Sequence, residues 1–181
     1  MGDGLYKIAL EKGETITLWQ GNADQFVAPV TMPEDQKLNP WGEKQPERID
    51  LKSSLSYGKP VKASGNWNAK EYSVASAFDG TLATRWGAEP GSRSGWIEVD
   101  LTKTEEVKKV VISEINFPRT QSFRIEVRAS ETDEWTTVFQ GTQIGKQNFT
   151  IPFEKPVTAR FVRLNILSAT EVPTFEEFSV Y

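Results

Sequence analysis

The 181-residue chain contains neither histidine nor cysteine, and that decides most of what it can do chemically. Imidazole acid/base catalysis, nucleophilic triads, thiolate nucleophiles and nitrogen- or sulfur-ligated metals all lose their central residue. Glu71, Glu89 and Glu114 sit in loop-like stretches, but no spacing organises two of them as an acid/base pair, so catalysis is not expected. Two other constellations remain. In FDGTLATRW, Asp79 beside Gly80, with Thr84 following, offers hard oxygen donors of the kind a calcium ion takes. The same spacing also suits an Asx turn closed by Asp79 alone. The second constellation is spread over three loops. GNWNAKEY carries Trp67 between Asn66 and Asn68, then Tyr72; AEPGSRSG carries Glu89 and Arg93; EINFPRTQ carries Glu114, Asn116, Phe117 and Arg119. An aromatic face covers an apolar C–H surface, and a guanidinium fork donates to paired oxygens. Trp67 could equally be an inward plug, and Arg119 could equally pair with Glu114.

The elements that must hold these loops are strands. In SFRIEVRAS, Phe123, Ile125, Val127 and Ala129 alternate with Arg124, Glu126 and Arg128. GWIEVDL sets Ile97, Val99 and Leu101 against Trp96, Glu98 and Asp100, and ARFVRLNIL sets Val162, Leu164 and Ile166 against Phe161, Arg163 and Asn165. Period two of this kind marks half-buried strands. KKVVISEI, QNFTIPF and EEFSVY are further short β-branched or aromatic runs, and Asp79-Gly80, Pro90-Gly91, Gly141, Gly145 and Pro156 are expected to punctuate them. No amphipathic helix longer than about two turns is expected. Many short strands at such spacing predict an all-β sandwich or barrel. Trp96 and Trp135 are expected to pack within or upon the strands.

Residues 1–50 read differently. LYKIALEKGETITLWQG predicts a hairpin with a Lys-Gly turn, and APVTMPEDQKLNPWGEKQPERID is proline-rich, charged and without alternation, as in an extended linker. A lone hairpin is marginal in water, so this one either packs on the main domain or, the favoured reading, is the remnant of an upstream domain. Residues 51–181 then form the main domain. The net charge of −4 and the scattered lysines and arginines give no nucleic-acid footprint. No apolar run is long enough to insert in a membrane. MGDGLYKIAL lacks the basic-then-apolar pattern of a signal peptide, and Met1-Gly2 reads as an artificial start.

From about Leu51 to Tyr181, several segments occur in an order that resembles the discoidin, or coagulation-factor (F5/8) type C, domain. They are KPVKASG; SVASAFDGTLATRW, similar to A-x-D-G-x-x-x-T-x-W; GWIEVDL, similar to W-(I/L)-x-V-D-L; then SFRIEVRAS, EWTTVFQG, ARFVRLNIL and EEFSVY. Within that group the chain most resembles the family 32 carbohydrate-binding modules. RTQSFRIEV and ARFVRLNILSATEVPTFEEFSVY are similar to modules appended to bacterial glycoside hydrolases, α-L-fucosidases in particular.

The resemblance implies a discoidin-like (galactose-binding-domain-like) β-sandwich, or jelly roll, with Trp86 in its core. It implies a structural calcium ion held by Asp79, by Thr84, by carbonyls at Ser76, Thr81 and Glu176, and by the Glu177 carboxylate. Ligands in this fold bind at the loop end beside that ion, which makes Trp67, Asn68, Arg93, Glu114 and Arg119 candidates to hold a glycan or sugar. Galactose-binding members commonly use a histidine in the first loop, and this chain has none. Two functions follow: a non-catalytic module targeting an upstream catalytic domain of the same chain to glycans, or a non-binding brace for that domain. Phe117 beside Arg119 is a faint echo of lipid-binding relatives. The parent protein is expected to be secreted, periplasmic or on the cell surface.

Overall fold

The computed structural model describes residues 49–181 other than Phe117 and Lys146. The chain divides into two compact units, Met1–Arg48 and Ile49–Tyr181. The expected hairpin, and all but the end of the expected linker, lie outside the described residues.

Seven strands build the second unit: β1 (Val61–Ala63), β2 (Trp86–Gly87), β3 (Gly95–Glu114), β4 (Thr120–Arg128), β5 (Thr136–Gly141), β6 (Phe149–Ala169) and β7 (Thr174–Val180). All pairings are antiparallel, in the order β2-β7-β3-β6-β4-β5, with β1 also on β3. Two short 3-10 turns, Leu51–Ser53 and Val74–Ala77, are the remaining elements among the described residues. The all-β sandwich stands.

The strand boundaries differ from the sequence reading. GWIEVDL and KKVVISEI are halves of one strand, β3, and QNFTIPF and ARFVRLNIL are halves of β6. Pro156 therefore lies inside β6 and ends nothing. The ladder survives because pairing resumes at Glu105–Ala159 after a register shift following Asp100, with Thr102 at φ 71° in the bend. Such irregularities curve a strand while leaving it hydrogen-bonded. The first half of β3 pairs with β1 and the second half of β6, and β4 and β5 extend that layer. The second half of β3 pairs with β7 and the first half of β6. One bent ladder thus supplies both layers.

Between them lie Ile97, Val99, Ile125 and Leu164 from one layer and Val110, Ile112, Phe175 and Phe178 from the other. Each such side chain contributes roughly 1.5–3 kcal/mol by leaving water. Trp86 is fully buried, stacked on Phe175 at 6.2 Å, and donates from its indole nitrogen to the Gly65 carbonyl. The domain closes on its own ends: the Leu55 amide donates to the Val180 carbonyl, and the Val180 amide donates to the buried Ser56 hydroxyl.

The opposite face of the first layer is polar. Arg163 meets Glu98 at 2.6 Å and lies over the rings of Trp96 and Trp135 at 4.3 and 3.9 Å. Arg160 grips Asp100 with two donors and holds its carboxyl below the usual carboxylate range. Trp96 and Trp135 are therefore platforms for arginines.

Candidate functional site

The segment between Asn66 and Gly87 runs past β7 and builds two adjacent features. It is anchored locally: the Trp67 amide donates to the Gly87 carbonyl at 2.8 Å, and the Tyr72 amide donates to the Asn68 carbonyl at 2.8 Å. At Gly87 a Cβ would lie 3.3 Å from the Trp67 Cβ, so any side chain there would have to shift Trp67 by a few tenths of an ångström. β2 then pairs with β7 through Trp86–Phe175 and Gly87–Thr174.

The first feature is an open cleft of about 430 Å³ at the Thr174 end of β7. Its walls are Trp67, Tyr72, Arg85 and Arg119, with Gly87, Ile115 and Thr174 at its base. Trp67 is 50% exposed, so it is not an inward plug. Arg119 is fixed from behind: its Nη1 donates to the Val172 carbonyl at 2.7 Å and the Thr174 hydroxyl at 3.2 Å, and its Nη2 lies 3.3 Å from Glu171. Arg85 lies 5.1 Å over the Tyr72 ring and reaches the Tyr72 hydroxyl at 3.5 Å. An aromatic face beside two planar donors can hold a flat, hydroxyl-bearing ring.

Of the candidate contacts, Trp67 and Arg119 come together in this cleft; the other three do not line it. Glu114 is 1% exposed and accepts from the Arg119 and Thr120 amides at 2.7 and 2.8 Å, from the Thr120 hydroxyl, and from the Gly145 amide. It therefore sets the Arg119 loop through the backbone and is not Arg119's ion-pair partner, which is Glu171. Asn68 turns its side-chain oxygen to the Lys70 amide, and Arg93 donates to the Thr170 carbonyl. Phe117 lies outside the described residues. Arg85 was missed in the sequence because it sits between Thr84 and Trp86, where the strand-like pattern spoke for packing.

The second feature is an oxygen cluster further along β7. Thr84 donates its hydroxyl to Asp79 Oδ2 at 2.5 Å and lies 3.5 Å from the Ser76 carbonyl. Asp79 Oδ1 accepts from the Thr81 amide, which is the Asx turn. Glu177 is fully buried and accepts from the Gly80 amide and the Ser179 hydroxyl, at 3.0 and 2.8 Å. Those donors are neutral. Burial pushes the Glu177 carboxyl up to about 7, against the pull of its hydrogen bonds, and the Asp79 charge adds to the rise. Glu176 points its carboxylate elsewhere, to the Gln147 amide at 2.9 Å. Among the described residues no group of three or more acidic, histidine or cysteine side chains gathers. A cation here would thus rely on hydroxyl and carbonyl oxygens beside two carboxylates, a donor set that fits a hard ion.

The fold and its end-loop cleft define a class of non-catalytic β-sandwich modules. The F5/8 type C domain profile matches residues 60–178, and the chain belongs to that family. Solved structures agree. Chitosan-binding module 1 derived from a chitosanase/glucanase from Paenibacillus sp. IK-5 is 30% identical, with a TM-score of 0.65, over 71% of this chain and 98% of that one. A Ruminococcus gnavus GH29 fucosidase, solved in complex with fucose, is 28% identical with a TM-score of 0.66, over 72% of this chain and 26% of the fucosidase. The family 32 module of C. perfringens NanJ, in complex with galactose, shares the fold at 18% identity and a TM-score of 0.57, over 67% of this chain and 91% of that one. No curated protein matches the chain significantly. Among the described residues, no helix is long and apolar enough to cross a membrane.

Proposed function

We propose that this domain is a non-catalytic carbohydrate-binding module that holds a glycan in the Trp67–Arg119 cleft and thereby targets an attached glycoside hydrolase. The carrying observation is the half-exposed Trp67 facing a cleft that a fixed guanidinium also lines. The indole would take the C–H face of a pyranose, and Arg119, Arg85 and the Tyr72 hydroxyl would take its oxygens. The chitosan-binding relative supports sugar binding, and the fucosidase relative supports an α-L-fucosidase or similar enzyme as the attached catalytic domain. Tethering raises the local concentration of an enzyme on a multivalent glycan even when each contact is weak. Such targets fit a parent protein that is secreted, periplasmic or on the cell surface.

A structural calcium ion belongs to the same proposal. Asp79, Thr84 and Glu177, with carbonyls of Ser76, Thr81 and Glu176, would hold it. When bound, it supplies positive charge to two carboxylates that otherwise face each other with neutral partners.

The second reading is a brace for the catalytic domain. It is favoured by Arg119, whose Nη1 donors are already engaged with Val172 and Thr174 at the start of β7. A glycan array probed with the described domain separates the two: binding to a defined glycan supports the module, and silence across bacterial, plant and host glycans supports the brace.

A further inference from the structure

The charge of the cleft carries a narrower conclusion. Two of its wall residues, Arg85 and Arg119, are cationic, and among the described residues no acidic side chain lines it. The two guanidiniums are not equivalent. Arg119 is balanced by Glu171 at 3.3 Å and tied down by Val172 and Thr174. Arg85 is exposed, and its partners are the ring and hydroxyl of Tyr72; no carboxylate among the described residues pairs with it. A guanidinium held on an aromatic ring at the mouth of a cleft keeps its charge and most of its donors for a ligand. To an anion such a group gives a charge pair as well as hydrogen bonds; to a neutral hydroxyl it gives the hydrogen bonds alone.

We infer that the cleft prefers an acidic sugar, one whose ring carries a carboxylate or a sulfate, with Arg85 reading the charge and Trp67 the ring face. The inference rests on the proposed glycan-binding role of this cleft. It also sets the chain apart from its chitosan-binding relative, because a protonated amino sugar would meet two guanidiniums.

Calorimetric titration of the domain with four probes tests it: trigalacturonate, sulfated lactose, uncharged lactose and protonated chitotriose. The acidic probes are expected to bind up to about fivefold more tightly than lactose, the reach of one exposed ion pair, with chitotriose weakest. Arg85→Gln is expected to remove most of that preference, falling further for the acidic probes than for lactose. Raising salt is expected to weaken the acidic probes selectively. The two acidic probes tell carboxylate from sulfate. Equal binding of acidic and neutral probes, or preference for chitotriose, overturns the inference while leaving glycan binding intact. Failure of every probe overturns the inference, and the glycan array then decides separately whether the domain binds a glycan.

Discussion

The Gly80 amide donates to the Glu177 carboxylate at 3.0 Å, joining a loop near the start of the domain to its last strand across 97 residues. Gly80 stands at φ +71°, and a Cβ there would lie 2.7 Å from Lys52 Cγ and 3.1 Å from the Tyr57 ring. Gly80→Ala is expected to destabilise the domain by about 1–3 kcal/mol, from left-handed strain and displaced neighbours. Denaturant unfolding measures this; an unchanged midpoint would show that the loop is not pinned as described.

The calcium proposal makes the same junction metal-dependent. Calcium at about a hundred times its dissociation constant is expected to add roughly 2.7 kcal/mol of stability. A thermal melt with calcium against one with chelator reads the shift, which Asp79→Ala should abolish. Identical melting temperatures would remove the ion from the account.

The pH response follows from Glu177 in the metal-free protein. Its folded carboxyl titrates near 7, above the ordinary value of 4.5, so the native state holds a proton that the unfolded chain has released. Stability from this group is full below about 4.5, falls as pH rises toward 7, and then levels off. Chelated protein unfolded by denaturant across pH 5 to 8 should show the decline, and Glu177→Gln should flatten it. Calcium affinity should rise over the same window.

Arg163 is expected to be the costliest polar residue to lose. It pairs with the nearly buried Glu98 and lies between Trp96 and Trp135. Arg163→Ala strands a buried carboxylate, for about 3–5 kcal/mol, and Arg163→Lys should recover only part because an ammonium neither forks nor stacks as well. A full rescue by lysine, measured by denaturant unfolding, would argue that charge alone matters.

Much of this was legible in the sequence, because strand alternation and loop residues report on local geometry. Ile97, Val99 and Leu164 are buried where period two put them, and Trp86 is in the core. Trp67 and Arg119 were identified as candidates and do share a cleft. What escaped depends on long-range pairing. That two short runs fuse into β3 is visible only from the register with β6, which carries the ladder through the Asp100 bend. Glu114 looked like a loop carboxylate because nothing local shows three amides converging on it from residues 119, 120 and 145. Arg85 escaped because the Tyr72 ring that holds it comes from an earlier turn of the same loop.

The central claim is that Trp67 is a sugar platform. Titration of a glycan identified on an array, with wild type and Trp67→Ala compared at equal melting temperature, tests it most directly. At least tenfold weaker binding of the variant is expected, equivalent to about 1.4 kcal/mol. Unchanged affinity in Trp67→Ala would contradict the claim.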